Sequence, residues 1–193
     1  MEGIDIRFFL FFNGLHTEWL DAVMNVLTEM WVWIPLYILL IYMVFKQYGK
    51  RGWWVLLAVV FVILCADQLS AHVCKPLFHR LRPCFNPDLE GLVHLPKGLP
   101  GGRYGFVSSH AANTFGIAAY LTAMLRNGYK SIGWWLYAWA LVASYSRIYI
   151  GVHYPGDILA GAALGVLVGL VFWWLTKLVL KDHLDGGTRL KTP

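Results

Sequence analysis

The sequence predicts an all-α, polytopic transmembrane helix bundle of five spans, with six as the alternative. Three observations carry this. Of the 193 residues, 58% are apolar and 14% charged, whereas an ordinary soluble domain carries about 25% charged residues. The apolar residues fall in long runs, and crossing the hydrocarbon takes about 20 such residues. The basic residues gather between those runs and build no solvated helical face. The length suits one domain over residues 1–193 and leaves no room for a second soluble one.

Four runs meet the spanning length: Trp53 to Cys74, Ser108 to Leu125, Ile132 to Ile150 and Asp157 to Leu180. The second is rich in Ala and other small residues. A fifth, Trp31 to Phe45, is strongly apolar but short, and is expected to borrow a turn from the preceding segment. Residues 1–30 read differently. Phe8, Phe9, Phe12, Leu15, Trp19, Val23 and Val26 recur at helical spacing, with Asn13, Glu18, Asp21, Asn25 and Glu29 between them. This pattern predicts interfacial amphipathic helices, broken at Asn13-Gly14. A sixth span is the alternative reading of this segment. Glu2 and Asp5 spoil the basic start that a cleavable signal peptide needs. Residues 75–107 hold Pro76, Pro83, Pro87, Pro96 and Pro100 with Gly91, Gly98, Gly101, Gly102 and Gly105, and predict a structured extramembrane loop carrying function.

Charge placement orients the bundle. Lys46, Lys50, Arg51, Arg126, Lys130, Lys177, Lys181, Arg189 and Lys191 fall on one side of a five-span bundle, which is then cytoplasmic. The opposite side also carries basic residues, Lys75, Arg80, Arg82, Lys97, Arg103 and Arg147, and an anionic ligand explains that excess. The net charge of +5 therefore belongs to topology and substrate, and nucleic-acid binding is not expected. Cys65 reads as a small core residue. Cys74 and Cys84 read as unlinked thiols, with pairing as the alternative. Gly161, Gly165 and Gly169 form a small-residue stripe that lets helix backbones approach. Packing within the chain is the preferred reading of it and dimerisation the alternative; the sequence sets no oligomeric state.

Three polar clusters sit at span ends, and five spans put all of them on one side. Lys75, Arg82 and Arg147 supply three cations suited to phosphate. Ser108 and Ser109 open the third of the five runs in chain order, Ser108 to Leu125, where a helix N-terminus offers free N–H groups and hydroxyls to an anion. His153 and Asp157 are four apart, so the carboxylate can fix the imidazole tautomer and leave its other nitrogen as a nucleophile or base. His110 is a second imidazole, suited to protonating a leaving oxygen. Singly, each has a bland explanation: a snorkelling anchor, a helix cap, a structural histidine. Together they form a phosphoryl-transfer site that requires neither metal nor cofactor.

These residues resemble the type 2 phosphatidic acid phosphatase superfamily, whose signature is K-x6-R-P, P-S-G-H and S-R-x5-H-x3-D. The first part matches at Lys75, Arg82 and Pro83, and the third at Ser146, Arg147, His153 and Asp157. The middle part matches at Ser108 and His110, with Val107 in place of Pro and Ser109 in place of Gly. The resemblance implies that His153 attacks phosphorus to form a phosphohistidine, that Asp157 orients it and that His110 protonates the leaving group. It implies that Lys75, Arg82, Arg147, Ser108 and Ser109 bind phosphate, and that hydrolysis proceeds without metal. The implied activity is that of a lipid phosphate or pyrophosphate phosphatase in a bacterial cytoplasmic membrane, its site facing the periplasm. The substrate is expected among phosphatidylglycerol phosphate, phosphatidic acid, undecaprenyl pyrophosphate and lipid A phosphate. A lipid phosphotransferase built on the same site is the alternative, and an anion-binding transporter the alternative from another class. Asp67, eight residues before Lys75, reads as a paired or protonated carboxylate outside the chemistry.

Overall fold

The computed structural model describes residues 2–100 and 102–184, with side chains described for residues 3–100 and 102–180. Gly101, Arg189, Lys191 and the side chains of Glu2 and Lys181 lie outside the described residues. The described chain is helical throughout, apart from its loops and one isolated β-bridge between Leu81 and Tyr104.

Helices α1 (Glu2–Gly14) and α2 (Glu18–Leu27) are separated where Asn13-Gly14 predicts. Thr17 starts α2 by accepting a hydrogen bond from the Leu20 amide at 3.2 Å, and Glu18 and Asp21 add negative charge to the positive first turn. A 3-10 turn at Met30–Trp33 then supplies the extra turn that the short run needs before α3 (Ile34–Tyr48). Helix α4 (Gly52–Gln68) continues through a π-helical stretch, Leu69–Cys74, into the short α5 (Lys75–Phe78). Such π turns recur at functional sites, and this one delivers Lys75. The loop that follows is structured by 3-10 turns at Pro83–Phe85 and Pro87–Leu89. Three helices complete the described residues: α6 (Ser109–Leu125), α7 (Ile132–Tyr149) and α8 (Pro155–Leu184).

Hydrogen bonds fix which helix ends meet. Tyr48 Oη and Gln47 Nε2 both donate to the Met124 carbonyl, joining the C-terminal ends of α3 and α6. The Ser108 amide donates to the Asp157 carbonyl at 3.0 Å, joining the starts of α6 and α8. Among the described residues two helical stretches, Met30–Phe78 and Pro155–Leu180, are long and apolar enough to cross a membrane by length and composition.

Helix α6 is the centre. Its Ala111, Ala112, Gly116, Ala118 and Ala119 are buried, and it packs on α4, α7 and α8. The glycine stripe of α8 faces it. A Cβ at Gly161 would lie 2.5 Å from the Ser108 carbonyl oxygen, one at Gly165 2.1 Å from that of Ala112, and one at Gly169 2.5 Å from that of Gly116. The stripe is thus used within the chain, as preferred from the sequence. The described cysteines Cys65, Cys74 and Cys84 are free thiols.

The N-terminal segment is more deeply committed than an amphipathic pattern implies. Phe9 is fully buried and meets Tyr154 edge-on, whereas Phe8, Phe11, Leu15 and Trp19 are exposed. Asn13 does not face outward as the pattern placed it; it is buried. Its Nδ2 donates to the carbonyls of Tyr149 (2.7 Å), Ile148 (3.3 Å) and His94 (3.1 Å), and its Oδ1 accepts from the His94 amide at 2.8 Å. One amide side chain satisfies the orphan carbonyls ending α7 and ties them to α1 and the 75–107 loop.

Gly165→Val is expected to destabilise the protein by on the order of 3 kcal/mol, at the top of the usual overpacking range, because the added carbon meets backbone. Thermal unfolding in detergent reads this as a lowered Tm. An unchanged Tm would contradict the α6–α8 seam.

Candidate active site

The site begins with a buried carboxylate. Pro155 opens α8, and Asp157 in its first turn accepts from the Tyr154 amide through Oδ2 at 2.9 Å. This is the back-bond of a capping box, in which a third-position carboxylate closes on the N-cap amide. Asp157 is fully buried, and a buried carboxylate demands more than one donor. Arg80 Nη1 supplies the second at 2.8 Å to Oδ1.

His153 precedes that helix on the turn leaving α7. Gly151 in this turn has φ +77°, and a Cβ there would strike Val93, Leu95 and the His94 carbonyl, so the reversal requires glycine. His153 is buried, with Nδ1 3.4 Å from Asp157 Oδ2 and Nε2 3.4 Å from Arg82 Nη1. The carboxylate and the guanidinium therefore address opposite edges of the ring. The pair meets as the spacing predicts, but through capping of α8, since His153 itself is not helical.

Arg82 is held by its backbone. Its amide donates to the Arg103 carbonyl at 2.9 Å, and the Gly105 amide donates to the Arg80 carbonyl at 2.9 Å. This pairing brings Gly105 over the His153–Asp157 pair. A Cβ on Gly105 would lie 3.1 Å from Asp157 Oδ2, 3.1 Å from Arg82 Cγ and 3.5 Å from His153 Nδ1.

Lys75 Nζ donates to Ser109 Oγ at 2.9 Å, and Ser70 Oγ, whose single proton goes to the Asp67 carbonyl at 2.9 Å, lies 2.7 Å from the same oxygen. The Ser109 hydroxyl thus accepts from Lys75 and gives its own proton to Ser70 Oγ. Ser108 caps the helix. Its Oγ accepts from the Ala111 amide as the N-cap of α6, and its own amide is taken by Asp157. Among the described residues this leaves the Ser109 and His110 amides at the open end of the helix. Arg147, in the last turn of α7, donates through Nη1 to Thr28 Oγ1 at 2.6 Å. Arg82 Nε, Arg147 Nε and His110 Nε2 are buried without a protein partner, and each such nitrogen costs about 1–3 kcal/mol unless something answers it.

Charge density follows from this crowding. Burial, then Asp157 against it, then Arg82 and Arg147, bring the His153 pKa down to about 4. Burial and the neighbouring Arg82 and Arg147 pull the Lys75 ammonium below its usual range, with Asp67 opposing. Asp67 thus acts on Lys75 only through its field. Among the described residues no cluster of three His, Cys, Asp or Glu side chains is arranged to hold a metal ion.

The structure brings His153, Asp157 and Arg82 into direct contact, sets Lys75 on Ser109, and holds Arg147 and His110 within electrostatic reach of the histidine. Sequence reading missed Asp5, Thr28, Ser70, Arg80 and Gly105. Arg80 lies inside the spacer between Lys75 and Arg82, where its basic character was visible. Nothing local marked the others.

Known proteins resemble this chain along most of its length. A sequence model of the PAP2 superfamily matches residues 51–180. The lipid A 4'-phosphatase of Bacteroides thetaiotaomicron is 38% identical over 178 residues, covering 91% of this chain and 78% of that protein. The lipid A 4'-phosphatase of Porphyromonas gingivalis is 35% identical over 167 residues, covering 86% and 70%. Among solved structures, LpxE of Aquifex aeolicus superposes with a TM-score of 0.63 at 26% identity, covering 86% of this chain and 93% of that one.

Two measurements check the geometry. Gly105→Ala is expected to lower kcat by about 10-fold while the protein remains folded, since small displacements of reacting groups are costly. In ligand-free protein, NMR titration of the His153 ring is expected to show neutral imidazole down to pH about 4. The unfolded chain takes up that proton near 6.5, so this histidine's contribution to folding stability falls as pH drops from about 6.5 to about 4. A His153 midpoint near 6.5 would remove the buried environment assigned to it.

Proposed function

Since the chain belongs to the PAP2 superfamily, we propose that it is a membrane-embedded phosphatase of lipid A that removes the 4'-phosphate through a phosphohistidine. That it is a phosphatase follows from its family and its phosphatase relatives. The observation that carries the site assignment is the meeting of Lys75, Arg82, Arg147, His110 and His153 at one end of the bundle, with buried guanidinium and imidazole nitrogens turned to no protein group. A tetrahedral dianion answers those donors.

In this reading His153 Nε2, the ring nitrogen on the Arg82 side, attacks phosphorus. The ester oxygen leaves as the sugar hydroxyl with a proton from His110. Asp157 holds the Nδ1 proton while positive charge develops on the ring. Water then attacks the phosphohistidine, giving its proton back to His110, and inorganic phosphate departs. Lys75, Arg82, Arg147 and the open Ser109 and His110 amides of α6 hold the equatorial oxygens as charge redistributes.

The membrane setting is part of the proposal: α3, α4 with its π extension, α6, α7 and α8 make five crossings, residues 1–30 lie at the interface, and the 75–107 loop lies outside the hydrocarbon. Outward-facing Ile38, Leu57, Val60, Leu141, Leu167 and Val179 are exposed, an apolar surface far larger than water tolerates. Lys46, Arg51, Arg126 and Lys177 lie toward the opposite end from the site, which supports a cytoplasmic opposite end and a periplasmic site. Exposed Leu77 and Phe78, beside Lys75, offer apolar contact to acyl chains. Lipid A is chosen among the four lipid phosphates because two relatives, at 38% and 35% identity, carry that name.

Purified protein is expected to release inorganic phosphate from lipid A bearing a 4'-phosphate, equally with and without EDTA. His153→Ala is expected to lower kcat by at least about 10⁴-fold, as loss of a nucleophile does. Faster release from phosphatidic acid, phosphatidylglycerol phosphate or undecaprenyl pyrophosphate would replace the substrate and keep the mechanism. Full activity of His153→Ala would sink the mechanism itself.

A further inference from the structure

We propose that Asp5 and Arg80 are positioning residues that act through Asp157 on His153, so that the N-terminal helix, outside the family-matched segment 51–180, is part of the catalytic apparatus. This rests on His153 being the nucleophile.

The connection is continuous. Arg80 Nη1 donates to Asp157 Oδ1 at 2.8 Å, and Arg80 Nη2 donates to Asp5 Oδ2 at 2.6 Å. The other Asp5 oxygen accepts from the Gly156 amide at 2.8 Å. Gly156 directly precedes Asp157, and a Cβ there would lie 2.6 Å from Asp5 Oδ2. Asp5 therefore grips the start of α8 twice, by its backbone and by the arginine bound to its carboxylate. The Arg80 guanidinium also lies 4.3 Å over the Tyr154 ring, and Tyr154 is fixed by Phe9 of α1 and by a 3.0 Å bond from Asn86. Two carboxylates and an aromatic face leave Arg80 one position.

That position has a chemical consequence. Asp157 divides its work between its two oxygens, with Oδ2 also accepting from the Tyr154 amide. Oδ2 looks to His153 Nδ1 at 3.4 Å, and Oδ1 is neutralised by Arg80. Without Arg80 the full carboxylate charge would act on the ring. A stronger carboxylate stabilises protonated imidazole, which removes the nucleophile, and stabilises the phosphorylated ring, which slows its hydrolysis. With Arg80 in place Asp157 orients the ring and fixes its tautomer at moderate charge. Burial disfavours the Arg80 charge, yet Asp157 and Asp5 hold the guanidinium above its usual basicity. Arg80 is thus a permanent cation in this chain of contacts. Arg80 takes no part in the phosphate cradle in this assignment, since both its terminal nitrogens are spent on carboxylates.

The groups facing His153 are Asp157 from α8, Arg82 from the loop, Arg147 from α7 and His110 from α6. Changing Arg80 or Asp5 leaves all four chemically intact. The test compares Asp5→Asn, Arg80→Gln, the double variant and Arg80→Lys, in the full chain in detergent. Each is assayed on lipid A 4'-phosphate, or on whichever of the four lipid phosphates the wild type hydrolyses fastest. Arg80→Gln is expected to lower kcat about 30-fold and Asp5→Asn about 10-fold, with KM within about two-fold, the pattern of a lost transition-state interaction. If Asp5 acts through Arg80, the double variant falls about 30-fold and not about 300-fold, because coupled residues are non-additive. The acid limb of kcat/KM should move to higher pH by about one unit in Arg80→Gln, since the uncompensated Asp157 raises the His153 pKa. The substrate's own titration is common to all variants and cancels. Arg80→Lys, which keeps the charge, should restore the acid limb more fully than kcat.

Wild-type kcat and pH profile in both single variants would overturn the proposal, as would additive losses with an unmoved acid limb, which mark simple structural damage. Where Arg80→Gln loses its fold by Tm, Arg80→Lys decides: a lowered kcat with a wild-type acid limb and KM within about two-fold supports the proposal, and a wild-type kcat overturns it. His153→Ala separates the two levels. If it is inactive while the relay variants behave as wild type, only the relay fails. If it is active, the phosphohistidine reading fails first.

Discussion

Gly161, Gly165 and Gly169 let the backbone of α8 lie directly against that of α6, and the site depends on this contact. The carbonyls of Ser108, Ala112 and Gly116 occupy the space that three β-carbons would need. In a lipid surrounding no hydrophobic drive pushes helices together, so close van der Waals packing of this kind is the main attraction available. The seam also sets register. It puts the first turn of α8 beside the N-cap of α6, where the Ser108 amide meets the Asp157 carbonyl. The middle and last signature motifs, 45 residues apart from Ser108 to His153, are therefore brought level by residues that do no chemistry.

Electrostatics then constrain what can be built on that seam. Lys75, Arg82, Arg147 and Arg80 crowd one end of an apolar bundle, and each repels the others. The chain answers by tethering every cation to a different segment: Lys75 to Ser109, Arg147 to Thr28, Arg80 to Asp5 and Asp157, and Arg82 to the rim of His153 and the Val152 carbonyl. Tethering lowers the rotamer entropy lost when an anion arrives. It also spreads the site over α1, the α2 cap, the π turn of α4, the loop, and the ends of α6, α7 and α8. A site so distributed stands or falls with the packing of the whole catalytic end.

This distribution explains which parts were legible in the sequence. The helices were, because long apolar runs leave little else possible, and even the short run before Lys46 had its extra turn. His153, Asp157, His110, Lys75, Arg82 and Arg147 were legible because each lies at the end of an apolar run or in the loop beside it, where fixed spacings survive as motifs. Asp5 was not. Its partners are 75 and 151 residues away, and on its own helix it looks like one more interfacial charge. Asn13 was misplaced for the same reason: periodicity records which residues are polar, not whether a carbonyl from α7 needs them. Gly105 carried the weakest signal, as one glycine among several in a loop. Its role is the absence of atoms, which only the positions of Arg82 and Asp157 define.

The departure from the family pattern at Ser109 shows how a local change is absorbed by its surroundings. The signature has glycine there, which brings bare backbone to the phosphate. Here a hydroxyl stands at the same place in the first turn of α6. Ser70 from the π turn of α4 accepts from it, and Lys75 donates to it. Placed between them, the hydroxyl draws Lys75 to a fixed position while the Ser109 amide stays open at the start of α6. The π turn is what makes this possible, because the wider turn at Leu69–Cys74 places Ser70 and Lys75 on the same side toward α6. The irregularity in α4 and the serine in α6 are thus two halves of one adjustment.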